Sequence, residues 1–152
     1  MDQQKELSSS SCHCINLRRA ANAVTDYYDR ALADIGISIN QFFLLSNIGK
    51  IEPCSVAELS RHVRLDRTTL VRNLKVLDKA GWVQNDAAPG NRKSKLHLTE
   101  AGRQLVKTAK PQWMQAQADV EACLGEEGLK RLIGYLLDLE QLNFHNKAEA
   151  GI

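Results

Sequence analysis

Between positions 67 and 79, cations and hydroxyls recur at helical spacing: Arg67, Thr68, Thr69, Arg72, Lys75 and Lys79. With Leu70 set at 0° and about 100° per residue, Leu74 and Leu77 fall within about 40° of it, and Thr68, Arg72, Lys75 and Lys79 fall between about 140° and 200°. Such a helix has an aliphatic stripe to bury and an opposite face of donors suited to a polyanion. The Arg72 guanidinium can fork onto the O6/N7 edge of a guanine, and Thr68 and Thr69 can meet bases or phosphates near the helix start. Lys75 and Lys79 suit phosphates, and Arg67 suits either partner. Arg92 and Lys93, at the tip of the hairpin that follows, would reach the adjacent minor groove, where negative potential attracts arginine.

The distribution of charge supports the same chemistry. The whole chain of 152 residues carries a formal net charge of only +2, yet positions 61 to 95 hold nine Lys or Arg against three Asp, a local excess of +6. The remainder therefore carries −4. A basic central segment between neutral and acidic ends is the footprint of a polyanion-binding element on a neutral scaffold, although a solvated charged face has the same signature.

These residues need elements to hold them. Leu17, Ala20, Val24, Tyr28, Ala31, Leu32 and Ile35 recur every three or four positions, which predicts a first amphipathic helix stopped at Gly36. Ser38 to Gln41 reads as a capping box opening a second helix through Phe42, Phe43, Leu45 and Ile48, with Gly49 and Pro53 as its end. Ser55 to Glu58 is a second capping box, for a short helix to about Val63, and Asp66 caps the cationic helix that Gly81 stops. Trp82 to Asp86 and Lys95 to Leu98 read as the strands of a hairpin, with Pro89-Gly90 in its turn. Thr99 then caps a long helix through Leu105, Val106, Trp113 and Val120, kinked at Pro111 and broken at Gly125. A last helix carries Leu129, Leu132, Ile133, Leu136, Leu137 and Leu139 over an apolar arc of about 160°, wider than one packing contact needs. The expected class is mainly α with a small β-hairpin wing: a helix-turn-helix, its turn at Arg64-Leu65, followed by a basic-tipped hairpin.

Val56-Ala-Glu-Leu59, Leu65-Asp-Arg-Thr-Thr-Leu-Val-Arg72, Leu77-Asp-Lys-Ala-Gly81 and Leu98-Thr-Glu-Ala-Gly102 give residues 15 to 145 a resemblance to the multiple-antibiotic-resistance regulator (MarR) family of bacterial winged-helix repressors. The resemblance implies a single domain over 1–152. Residues 1–11 would be disordered, 12–36 and 111–145 would be intertwined helices of an obligate homodimer, and 38–110 would be the DNA-binding lobe, with the recognition helix over about Asp66 to Lys79. Family wings commonly read Asp-x-Arg at the tip. This chain has Gly90-Asn91-Arg92, so the arginine matches and the acid that braces it is missing.

Two further sites follow from the same likeness. Some family members sense peroxide through a cysteine early in the first helix, and Cys12 and Cys14 flank His13 at that helix start. Packing at a dimer seam, a redox switch and a metal site completed by other residues all remain open for this pair; Cys54 and Cys123 read as structural. Other members bind phenolic or lipophilic anions in a cleft beside the dimer helices. Tyr27, Tyr28, Phe42, Phe43 and His62 are candidates for its lining, against the alternative that they are core.

Several function classes are disfavoured. Neither a P-loop, a nucleophile elbow, a dinucleotide glycine fingerprint nor a zinc helix occurs, and the four histidines fall on four different predicted elements, so no enzyme and no cofactor is expected. The longest strongly apolar run, Phe42 to Leu45, is far short of a membrane span, and the expected location is the cytoplasm. The expected partners are a pseudo-palindromic duplex, a second copy of the chain and a small phenolic or lipophilic inducer. The rival reading is a winged helix repurposed for protein contacts.

Overall fold

The computed structural model describes residues 8–86 and 95–142. The elements run α1 (His13–Leu32), a 3-10 turn (Ala33–Ile35), α2 (Ile39–Ile51), α3 (Val56–Val63), α4 (Arg67–Lys79), β1 (Val83–Asn85), β2 (Leu96–Leu98) and α5 (Glu100–Glu140). The chain divides into two compact units, Met1–Trp113 and Met114–Ile152.

In the first unit every expected cap forms. Ser38 Oγ accepts from the Gln41 amide while Gln41 Oε1 accepts from the Ser38 amide, and Ser55 and Glu58 repeat the exchange at the start of α3. Each box satisfies amides that the first turn of a helix leaves without partners. Gly36 closes the 3-10 turn with φ of 79°. Gly49 does not end α2, contrary to expectation. A Cβ placed there would stand 3.0 Å from Leu98 Cδ1, so this glycine serves the close approach of β2, and the helix ends two residues later, ahead of Pro53, where Glu52 turns extended.

β1 and β2 pair antiparallel in the register Val83 to Leu98, Gln84 to His97 and Asn85 to Leu96. A third partner escaped the sequence pattern. Cys54 exchanges both backbone hydrogen bonds with Leu96, at 3.1 and 2.7 Å, and its buried side chain joins the core, where burial pushes its thiol pKa up. That core gathers Leu45 and Ile48 of α2, Leu59 of α3, Leu70, Leu74 and Leu77 of α4, and Val83, Leu96 and Leu98 of the hairpin. Burying each such side chain contributes roughly 1.5–3 kcal/mol. A smaller cluster of Leu32, Ile37, Phe42 and Ala109 lies beside it.

The segment Leu98 to Gly102 joins the hairpin to α5 through one tight junction. The Thr99 amide donates to the Trp82 carbonyl at 3.0 Å, the Thr99 hydroxyl donates to the Gly81 carbonyl at 2.6 Å, and the same oxygen accepts from the Gly102 amide at 3.1 Å. A Cβ at Gly102 would stand 2.1 Å from the Trp82 carbonyl oxygen. Only glycine fits. The kink expected at Pro111 leaves helical dihedrals intact, because the fixed φ of proline is itself helical. The break is at Gly125, as expected, with φ 70° and ψ 163°.

In the second unit the apolar arc is uncovered. Leu132, Ile133, Leu136, Leu137 and Leu139 are all exposed, and Tyr135 is 64% exposed. Cys123, expected to be structural, is exposed as well. Gly102→Ala should cost about 1–3 kcal/mol by forcing α5 away from Trp82. Denaturant unfolding at constant slope measures it, and an unchanged midpoint would refute the junction's role.

Candidate nucleic-acid interface

The cationic helix is set in place by its own cap and by its leucines. Asp66 Oδ2 accepts from the Thr69 amide at 2.9 Å, and Asp66 Oδ1 accepts from the Thr69 hydroxyl at 2.6 Å. The Thr69 hydroxyl and amide together hold the Asp66 carboxyl below its usual pKa, so a charged cap stands at the helix start. The Thr69 hydroxyl proton is thus used by the cap in this structure. The preceding turn is made by Arg64 in the left-handed conformation, φ 54°, and Ser60 Oγ donates to the Leu65 carbonyl at 2.6 Å across it.

Burial of Leu70, Leu74 and Leu77 turns the opposite face outward. Arg67, Thr68, Arg72, Lys75 and Lys79 are all exposed, and Arg67, Thr68, Arg72 and Lys75 line one hollow together with Val71. The angular separation read from the sequence is thus realised. Arg92 and Lys93 lie outside the described residues.

The base of the wing is braced by groups that no local pattern reveals. Glu52, at the end of α2, accepts the Leu98 amide at 2.7 Å and pairs with the Arg103 guanidinium on α5. Burial would raise the Glu52 carboxyl, but the Arg103 and Leu98 hydrogen bonds outweigh it and hold the pKa below the usual range. On the outer side of the hairpin, His97 Nε2 stands 2.8 Å from Asp86 Oδ2.

Beside the lobe, α1, α2 and the first turns of α5 enclose an open cleft of about 730 Å³. Three of the five expected residues, Tyr28, Phe42 and Phe43, line it. Tyr27 does not; it faces Arg30, whose guanidinium lies 5.9 Å from the ring centroid. His62 is also absent from the lining, and instead its Nε2 stands 3.2 Å from Oδ1 of Asn47, which does line the cleft. Sequence reasoning missed Asn47 and Lys50 of α2 and Lys110 and Trp113 of α5, which only the packing of the two helices brings together. Trp113 packs against Phe42 with ring centroids 5.7 Å apart, and the two lysines supply positive charge to a mainly apolar space.

Cys12 is the extended residue just before α1 and Cys14 lies in its first turn, both exposed and neither in a disulfide. Ser10 clasps this end: its amide and carbonyl bond the Asn16 side chain, each at 2.8 Å, and its hydroxyl accepts from the Cys12 amide. Among the described residues no three His, Cys, Asp or Glu side chains are grouped as a metal set.

Residues 37–95 match the MarR family profile. No curated protein sequence matches the chain. Among solved structures, the M. tuberculosis transcriptional regulator MosR in complex with DNA is 34% identical, with 87% of this chain and 98% of that one covered and a TM-score of 0.75. The transcriptional repressor CouR bound to p-coumaroyl-CoA shares the fold at 20% identity, covering 86% and 92% with a TM-score of 0.75. BpsR of Bordetella bronchiseptica, whose DNA binding is regulated by 6-hydroxynicotinic acid, does so at 20% identity, covering 88% and 96% with a TM-score of 0.75.

The lowered carboxyl of Glu52 makes its contribution depend on pH. A carboxylate with a depressed folded pKa stabilises fully above its unfolded titration range, and that stabilisation is lost as pH falls through the folded value. Glu52→Gln should therefore cost about 1.5–3 kcal/mol at pH 7. The gap to wild type should narrow below about pH 4. Unfolding curves over that range check both, and a gap independent of pH would remove the charge from the brace.

Proposed function

The chain belongs to the MarR family, and from that premise we propose that it is a homodimeric, sequence-specific double-stranded DNA-binding regulator of transcription. The observation that carries the reading is the exposed face of α4, where Arg67, Thr68, Arg72, Lys75 and Lys79 stand opposite three buried leucines. A helix with this division lies in a major groove with its bases read by Arg72 and its phosphates neutralised by the lysines. Arg92 and Lys93 complete the contact from the wing. The role is regulatory rather than catalytic and belongs to the cytoplasm. No single helix among the described residues is long and apolar enough to cross a membrane.

Two signals fit a repressor that must release DNA. The cleft, apolar with Lys50 and Lys110 on its lining, suits a phenolic or lipophilic anion. Support comes from CouR, solved bound to p-coumaroyl-CoA, and from BpsR, whose DNA binding is regulated by 6-hydroxynicotinic acid. Cys12 and Cys14 suit an oxidant: peroxide takes two electrons from the thiols, giving one disulfide and two waters, and a disulfide at the start of α1 re-poses a helix of the dimer.

Selection of duplex sites from a random pool should recover a pseudo-palindrome with half-sites one helical turn, about 34–36 Å, apart. Arg72→Ala should then lose about 1–3 kcal/mol and relax preference at one base position, whereas Lys75→Ala should weaken all sequences alike and flatten the salt dependence. Unchanged affinity and base preference for Arg72→Ala would overturn the assignment of this face. In sedimentation, the exposed apolar surface of Leu132 to Leu139 predicts a dimer with no folded monomer at low micromolar concentration. Peroxide should release wild type from its duplex, reversibly with reductant, and spare the Cys12→Ser, Cys14→Ser double variant. Equal loss in both proteins, or none in either, would remove these cysteines from the mechanism.

A further inference from the structure

Among the described residues Asn47 alone is both polar and buried, at 8% exposure. A carboxamide in that position is costly unless bonded, and both of its ends are used. Nδ2 donates to the Phe43 carbonyl at 2.7 Å, which fixes the orientation of the amide and directs Oδ1 to His62. Because Oδ1 only accepts, His62 carries its proton on Nε2 and donates it across 3.2 Å. The bond spans two functional regions. Asn47 lines the cleft from α2, and His62 belongs to α3, the first helix of the helix-turn-helix.

We propose that Asn47 is the relay through which an occupant of the cleft reaches the DNA-reading helices, an inference that rests on the cleft being the effector site. Next to Asn47, Ser46 also lines the cleft, and its buried hydroxyl has no partner among the described residues. An anionic occupant drawn in by Lys50 and Lys110 finds there one donor hydroxyl and the second N–H of the Asn47 amide. Accepting from that N–H rotates the carboxamide toward the cleft, and its oxygen leaves His62. The His62 bond is long for its kind and is the weaker of the two that hold Asn47. Release of His62 frees α3, whose Leu59 and Val63 share one core with Leu70 and Leu74 of α4. A displacement of α3 is thereby transmitted to the face that carries Arg72. Occupancy and DNA affinity are then coupled reciprocally by about two- to tenfold, the equilibrium weight of one neutral hydrogen bond.

His62 is exposed, so its variants test the relay without disturbing the core. His62→Leu removes the donor and His62→Gln restores one. Full-length protein, the selected duplex and 4-hydroxybenzoate as the probe suffice, with Trp113 fluorescence reporting cleft occupancy. We expect the probe at saturation to change Trp113 fluorescence in all three proteins. It should weaken duplex binding about two- to tenfold in wild type and His62→Gln but not in His62→Leu. A full probe effect in His62→Leu would overturn the relay. If the probe leaves Trp113 fluorescence unchanged in wild type, the effector reading of the cleft fails, and amide hydrogen exchange over Val56–Val63 decides the relay by itself. Faster exchange and weaker duplex binding in His62→Leu, both restored in His62→Gln, would support it, and exchange and affinity equal to wild type would overturn it.

Discussion

The rotational setting of α4 governs everything this protein can read. Three leucines a turn apart, Leu70, Leu74 and Leu77, are buried among α2, α3 and the hairpin. Turning the helix by even one residue would swing about 100° of its surface and expose part of that stripe. Exposing one leucine costs about as much as a base contact returns, so the aliphatic face holds the cationic one in register. The Asp66 cap fixes the axial start in the same way, by giving the first-turn amide of Thr69 a charged acceptor.

The hairpin depends on a different kind of constraint. Two strands of three residues are too short to hold a wing, and this one is anchored from three directions. Cys54 adds a bridge to Leu96, Glu52 holds the Leu98 amide and Arg103, and Thr99 ties β2 back to the end of α4 through Gly81. Gly102 belongs to that set, because the junction closes only where no side chain intrudes on the Trp82 carbonyl. The wing is therefore positioned by the start of α5 as much as by its own pairing. The acid missing from the expected Asp-x-Arg tip does not remove every brace, since these contacts lie at its base.

The two units differ in how well they satisfy themselves. The first buries a leucine-rich core, with Asn47 as its one buried polar residue among those described. The second presents leucines, an isoleucine and a tyrosine to solvent along Leu132 to Leu142, a surface that a single copy leaves uncovered. The uncovered apolar surface and the cationic face of α4 thus fall in different units, and the cleft lies in the unit that carries the cationic face, with its lining drawn from α1, α2 and α5.

Periodicity and caps alone determined most of the fold. Ser38, Ser55 and Asp66 cap helices within four residues of themselves, and the faces of α4 follow from 3.6 residues per turn, so local chemistry was sufficient. Gly125 as a break was legible for the same reason. What the sequence could not decide were contacts between residues far apart along the chain. Glu52 and Arg103 are 51 residues apart, and Asn47 and His62 are 15 apart; neither pair leaves a local signal. Gly49 looked like a helix stop because glycine is a good one, yet it serves the approach of Leu98, a fact available only once β2 is placed. Tyr27 and His62 are not on the lining of the cleft, because aromatic spacing reports which face of a helix is apolar, whereas membership of a cavity depends on which other elements close around that face. Local rules set each element and its sides; the packing of distant elements decided what those sides meet.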